Sequence, residues 1–149
     1  MIVLVCGGRD YEDQLAVYMV LDQLHRQRRF DKVVHGGARG ADWYARAWAF
    51  SRNVMQRPYP ADWETYGRAA GPIRNQKMLD SEQINLCVAF PGGAGTADMV
   101  ARCKKAHRFD VIEVPLALSI DDNGLILPRW KPVQPEPDLF KQDGFGWAE

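Results

Sequence analysis

The sequence predicts an α/β fold in which a doubly wound, mainly parallel sheet lies between two layers of helices. Short apolar runs of strand character alternate five times with segments whose apolar residues recur at helical spacing. Three of the runs end in paired glycines, Gly7-Gly8, Gly36-Gly37 and Gly92-Gly93. Strands that alternate with helices pair in parallel through right-handed crossovers. We therefore expect a three-layer sandwich whose glycine loops share one edge.

Length and charge restrict the classes of protein to consider. The 149 residues suffice for one domain with a buried core, which we place at residues 1–115, with a hairpin and extended tail at 116–149 packed on it. Nineteen Lys and Arg residues balance 19 Asp and Glu residues, which argues against a protein that coats nucleic acid. The sequence shows neither a basic leader nor a run long enough to span a bilayer. We expect a cytoplasmic protein with no membrane partner.

The first half of the chain predicts two pairs of strand and helix. They are the strand Ile2–Cys6, the helix Glu12–Arg28, the strand Lys32–His35 and the helix Ala41–Ser51. Trp43 and Trp48 on the second helix are typical of a core or a subunit interface. We expect a homodimer through the surface that these two residues form.

The second half predicts three further strands and two helices before the pattern changes. They are the strand Asn53–Arg57, a helix with Pro72 as its first residue, the strand Leu86–Phe90, a helix from Gly95 to about His107 and the strand Val111–Val114. Beyond Pro115, two short apolar runs flank Asp121-Asp122-Asn123-Gly124, which predicts a β-hairpin. Prolines from Pro128 onward predict an extended tail.

The glycine loops indicate a site for a phosphate group. In the third loop, Pro91-Gly92-Gly93 separates a strand from a helix start, so backbone N–H groups and the positive end of the helix dipole can approach an anion. We expect Thr96 to cap this helix and to offer its hydroxyl to the ligand. The candidate ligand-binding residues are Gly7, Gly8, Arg9, Asp10, Gly36, Gly37, Arg39, Gly40, Asp42, Arg74, Lys77, Pro91, Gly92, Gly93, Gly95 and Thr96.

Charged residues around the loops have separate expected roles. Arg9, Arg39 and Arg74 would neutralise phosphate charge, and Lys77 lies three positions after Arg74, so both share a helix face. Asp10 or Asp42 would accept hydrogen bonds from ribose hydroxyl groups, and helix capping is the other role open to Asp42 and to Asp62.

Several of these stretches together resemble a known group of proteins. They are Val5-Cys6-Gly7-Gly8-Arg9-Asp10-Tyr11, His35-Gly36-Gly37-Ala38-Arg39-Gly40-Ala41-Asp42, Pro60-Ala61-Asp62-Trp63, the segment 69–78 and the segment 90–99. In their order and spacing the chain resembles the SLOG superfamily (SMF/DprA and LOG), and within it the YspA-like, YpsA-related branch of bacteria and phages. The resemblance implies a Rossmann-like fold over residues 1 to about 115 and a pocket for a nucleotide or nucleotide-derived ligand, with a role in nucleotide sensing.

The resemblance also raises the question of catalysis. LOG enzymes cleave the N-glycosidic bond of cytokinin ribotides with a glutamate after the Pro-Gly-Gly-x-Gly-Thr core and an upstream arginine. Arg74 matches the arginine, but Met99 stands at the glutamate position and cannot hold a proton. The candidate catalytic pair is then Arg74 and Asp98, although one residue along a helix rotates the side chain by about 100°. Other carboxylates that neighbouring loops offer are Asp10, Asp42, Asp62 and Glu64.

Three functions therefore remain open from the residues: a module that senses or sequesters a nucleotide, a LOG-like N-glycosidase, and a DprA-like module for single-stranded DNA, which the neutral charge disfavours. Nicotinamide chemistry is disfavoured because the first loop lacks Gly-x-Gly-x-x-Gly spacing and His35, not an acid, ends the second strand. Neither a cofactor nor a metal site is indicated, with Mg²⁺ beside a diphosphate as the exception. The three cysteines are expected to be reduced thiols.

Overall fold

A five-stranded parallel sheet forms the centre of the protein. The structure, a computed structural model, describes residues 1–127 and 129–130. The strands are β1 (Ile2–Cys6), β2 (Lys32–His35), β3 (Met55–Pro58), β4 (Leu86–Ala89) and β5 (Asp110–Glu113), in the order β3-β2-β1-β4-β5. The strand order reverses between β1 and β4, and a crevice at such a switch point is where open α/β sheets bind ligands.

Helices cover both faces of this sheet. They are α1 (Gln14–Gln27), α2 (Ala41–Ser51), α3 (Trp63–Tyr66), α4 (Ala70–Ser81) and α5 (Ala94–Ala106). Successive side chains of β1 enter different cores: Val3 and Val5 pack with residues of α1 and α2, and Leu4 packs with residues of α4 and α5. This arrangement confirms the predicted Rossmann-like three-layer sandwich.

The segment between β3 and β4 departs from the prediction. The helix α4 begins at Ala70, so the expectation that Pro72 opens it is wrong by two residues. Proline is tolerated there because the N–H groups of a first turn have no partner within the helix. The short α3 and a 3₁₀ turn at Gly67–Ala69 were not predicted, but Asp62 does cap α3, its carboxylate accepting from the Thr65 N–H at 3.1 Å.

The two tryptophans of α2 do not share a surface. Trp48 is fully buried in the core, where its indole N–H donates to Asp22 at 2.8 Å. Trp43 is 56% exposed, and the Arg46 guanidinium lies 5.2 Å from its ring centroid. The expected dimer surface of Trp43 with Trp48 is therefore wrong, because five positions along a helix separate two side chains by about 140°.

The predicted hairpin is present after β5. The strands β6 (Ser119–Ile120) and β7 (Ile126–Leu127) pair antiparallel. Gln23 of α1 attaches the hairpin to the domain, because its side chain donates to the Ile126 carbonyl at 3.1 Å and accepts from the Ile126 N–H at 2.6 Å. The predicted extended tail lies outside the described residues except for 129 and 130.

No helix in the described part of the chain combines the length and the apolar character that crossing a bilayer requires. All three cysteines are buried as free thiols.

Candidate functional site

A cavity of about 650 Å³ opens at the switch point between β1 and β4. The predicted ligand-binding residues that line it are Gly7, Gly8, Arg9, Asp10, Gly36, Asp42, Arg74, Pro91, Gly92, Gly93, Gly95 and Thr96. Gly37 and Arg39 line an adjoining cavity of about 460 Å³, and both cavities share Arg9, Trp63 and Arg74 among their walls. Gly40 and Lys77 line neither cavity.

Backbone contacts between glycines bring the three loops to one rim. The Gly8 N–H donates to the Pro91 carbonyl at 2.9 Å, and a Cβ at Gly92 would lie 2.7 Å from the Gly8 nitrogen. Gly40, with a φ of +79°, packs on the Gly8 carbonyl so closely that a Cβ there would overlap the oxygen. Because each contact tolerates only hydrogen on Cα, these glycines fix how closely the loops approach.

The N-terminus of α5 lies at the cavity, which Gly93, Gly95 and Thr96 line. The N–H groups of Ala94, Gly95 and Thr96 belong to the first turn and have no partner within the helix, and the N-cap, Gly93, provides no side-chain acceptor. A Cβ at Gly93 or Gly95 would meet nothing within 4 Å. The expectation that Thr96 caps the helix is wrong, since α5 already begins at Ala94. Thr96 nevertheless lines the cavity. Such a terminus suits an anion.

Arg74 of α4 is held in place by neighbouring acceptors. Its Nη1 donates to the Gly36 carbonyl at 2.6 Å and to the Tyr59 carbonyl at 3.3 Å, and its Nε donates to the Asn75 side chain at 3.0 Å. Burial lowers the pKa of Arg74, and the charge of Asp42 opposes that effect. Within the described residues its Nη2 has no hydrogen-bond partner, so this nitrogen is free for a ligand.

Asp42 is a buried carboxyl in the wall of the cavity. One oxygen accepts from the Ala38 N–H at 3.2 Å. Burial raises the pKa of Asp42 to about 6, although the backbone hydrogen bond from Ala38 and the charge of Arg74 favour the ionised form. A capping role is wrong for Asp42, because Gly40 is the N-cap of α2. The carboxyl therefore changes its charge close to neutral pH.

The other predicted charged residues lie on the rim or outside. Asp98 is on a different face of α5, where Arg102 and Asn75 donate to one of its oxygens at 2.8 and 3.0 Å. Met99, 1% exposed, lines the cavity instead. Arg39 and Asp10 form an exposed ion pair at 3.3 Å. Lys77 is exposed to solvent.

Comparison with known proteins agrees with this architecture. The YspA, cpYpsA-related SLOG family matches residues 1–66, which include the first two glycine loops. Gene 61 protein of Mycobacterium phage D29 is 40% identical over 112 residues, which cover 70% of this chain and 89% of that protein. The chain belongs to the YspA, cpYpsA-related SLOG family.

In this SLOG protein, three of the lining residues outside the predicted ligand-binding set are aromatic or polar. Trp63 lines both cavities, and the hydroxyl of Tyr11 is buried without a hydrogen-bond partner among the described residues. Asn75 connects Arg74 to α5, since its amide also donates to the Gly95 carbonyl at 3.3 Å. All three residues stand in the stretches that carry the resemblance, and Asp62 gives a capping signal before Trp63, but neither signal shows that their side chains reach the site.

Over residues 1–127 and 129–130 of this SLOG protein, no three His, Cys, Asp or Glu side chains gather in a way that would hold a metal ion.

Proposed function

We propose that the cavity binds a nucleotide or a nucleotide-derived ligand, and that the protein acts as a sensor or a sequestering module. The observation that carries the proposal is the meeting of three glycine loops with the uncapped N-terminus of α5 at the switch point of the sheet. Membership of the SLOG family supports a nucleotide-related role.

The phosphate would lie at the start of α5. The N–H groups of Ala94, Gly95 and Thr96 offer several donors to one anion, and the Thr96 hydroxyl adds another. Arg74 contributes positive charge and its free Nη2, in a partly buried position where a charge-assisted hydrogen bond is strong. Asp42, on the wall of the same cavity, would accept hydrogen bonds from ribose hydroxyls.

Thermal denaturation and calorimetric titration of the full chain test the proposal. The probes are AMP, GMP, CMP, UMP, ADP-ribose and NAD, each compared with the matching nucleoside. A ligand at one hundred times its Kd adds about 2.7 kcal/mol to the free energy of unfolding, which raises Tm by roughly 5 to 10 °C at this chain length. Absence of binding by every phosphorylated probe, together with no small molecule released from the heat-denatured protein, would contradict the proposal.

A second candidate is hydrolysis of the N-glycosidic bond of a nucleoside monophosphate, which Asp42 favours. A carboxyl with a pKa of about 6 in the wall of the cavity is suited to general acid catalysis near neutral pH. Protonated Asp42 would donate its proton to the departing base as the C1′–N bond breaks. Water would add to C1′ and return a proton to Asp42, so the products are the free base and ribose 5-phosphate.

Chromatography of the incubated mixture distinguishes the two candidates. Release of free base that declines as pH rises through about 6, and that Asp42→Asn abolishes, would support hydrolysis. Tight binding without release of free base would exclude hydrolysis and support the binding function.

A further inference from the structure

We propose that Trp63, together with Arg9, forms a stacking platform for the nucleobase of the ligand where the two cavities meet. This inference rests on the proposed function, because it names the aromatic part of the same ligand. We call the pair the Trp63–Arg9 platform.

Trp63 is a large aromatic residue that remains half-exposed at the site. Its indole is 46% exposed and lines both cavities. One edge of the ring approaches α4 at Gly71, where a Cβ would stand 3.4 Å from Cη2. The edge of the indole therefore approaches α4 while the residue lines both cavities, where a base could stack on it.

Arg9 completes the platform from the loop after β1. Its guanidinium carbon lies 4.8 Å from the centroid of the Trp63 ring. In the part of the chain that the structure describes, Arg9 forms no ion pair and no side-chain hydrogen bond, although it lines both cavities. A planar cation over an indole orders both side chains and adds a second flat surface on which a base can stack.

The position of the platform suits a base attached to a bound phosphate. Trp63 lines the same cavity as Gly93, Gly95 and Thr96, where the phosphate is proposed to lie. A cavity of about 650 Å³ is in the range that accommodates a small organic ligand. The ligand class is therefore a phosphate ester with an aromatic base, as opposed to a sugar phosphate alone.

The chain contains a matched control for this pair. Trp43 is also exposed and also lies under an arginine, Arg46, at 5.2 Å from the ring centroid, but it lines neither cavity. Trp43→Ala removes a similar exposed aromatic group and should leave ligand binding unchanged.

Calorimetric titration of the full chain with the four nucleoside monophosphates and with ribose 5-phosphate tests the platform. We expect Trp63→Ala to weaken binding of the monophosphates by about tenfold, because stacking on an aromatic side chain is sequence-tolerant and of that size. Affinity for ribose 5-phosphate should stay within about twofold. Retained affinity for ribose 5-phosphate shows that Trp63→Ala folds, and Trp63→Phe should restore most of the loss for the monophosphates.

The outcomes separate the two proposals. Unchanged affinity for the monophosphates in Trp63→Ala, or an equal loss for ribose 5-phosphate, overturns the platform and leaves the phosphate site intact. If the unmodified protein binds neither these probes nor ADP-ribose and NAD, and releases no small molecule on heat denaturation, the proposed function fails and the platform fails with it.

Discussion

Replacing Asp42 by asparagine should change how the stability of the protein depends on pH. Burial raises the pKa of this carboxyl from an ordinary 3.8 to about 6 in the folded state. Such a difference corresponds to about 3 kcal/mol of unfolding free energy. Because the folded pKa is above the unfolded one, the stabilisation is fully present below about pH 4 and is lost as pH rises to about 6.

Asp42→Asn removes this dependence while retaining an oxygen that can accept from the Ala38 N–H. We expect the variant and the unmodified protein to have similar free energies of unfolding near pH 4. Above pH 6 the variant should be more stable, by up to about 3 kcal/mol. Asp10→Asn is the control, because that carboxylate is 95% exposed on the rim of the same cavity.

Urea denaturation between pH 4 and pH 8, without nucleotide, measures the difference between each variant and the unmodified protein. In this difference in unfolding free energy, the contributions of the titrating groups that the proteins share cancel. A difference that is constant across the range for Asp42→Asn, or one as large for Asp10→Asn, would refute the reasoning. Equal m-values are required for the comparison, since a changed m-value indicates a changed denatured state.

Three further substitutions test the glycine loops and the arginine. Gly93→Leu should lower Tm by only a few degrees, because nothing lies within 4 Å of its Cβ position and the cost is that of a poorer N-cap residue. It should abolish binding of nucleoside monophosphates, and retained affinity would contradict the phosphate site. Gly40→Ala should lower the unfolding free energy by at least about 1 to 3 kcal/mol, because alanine is strained at a φ of +79° and its Cβ would overlap the Gly8 carbonyl. An unchanged urea midpoint would contradict that packing. Arg74→Ala should weaken the binding of monophosphates more than tenfold and the binding of nucleosides little, as measured by calorimetric titration. Equal losses of affinity for both would contradict the anion role of Arg74.

The sheet and its glycine loops were predictable because their signals are local. A run such as Ile2–Cys6 followed by Gly7-Gly8 carries the strand, its end and the turn within a few residues. Right-handed crossovers then restrict the topology, and they place the ends of parallel strands at one edge. The meeting of the loops follows from these two rules.

The contributions of individual side chains were less predictable. Arg74 and Lys77 lie about 60° apart around α4, which suffices to put Arg74 in the cavity wall and Lys77 in solvent. Trp63 belongs to the site only because α3 packs over Gly71 and approaches Arg9, two contacts that spacing does not reveal. Tertiary packing determines which side chains reach the site at such positions, and the spacing of residues in the sequence does not reveal that packing.

The space around each Cβ position separates two kinds of glycine at this site. Gly40 is crowded by the backbone of Gly8 and Arg9, and Gly92 by the Gly8 nitrogen and the Thr96 side chain, so the fold itself requires both glycines. Gly93 and Gly95 have open space and no positive φ, so neither crowding nor backbone conformation requires glycine there. Since packing does not explain the open pair, the close approach of a bound group is the physical reason we infer for them, and the Gly93→Leu variant tests that reason without disturbing the crowded pair.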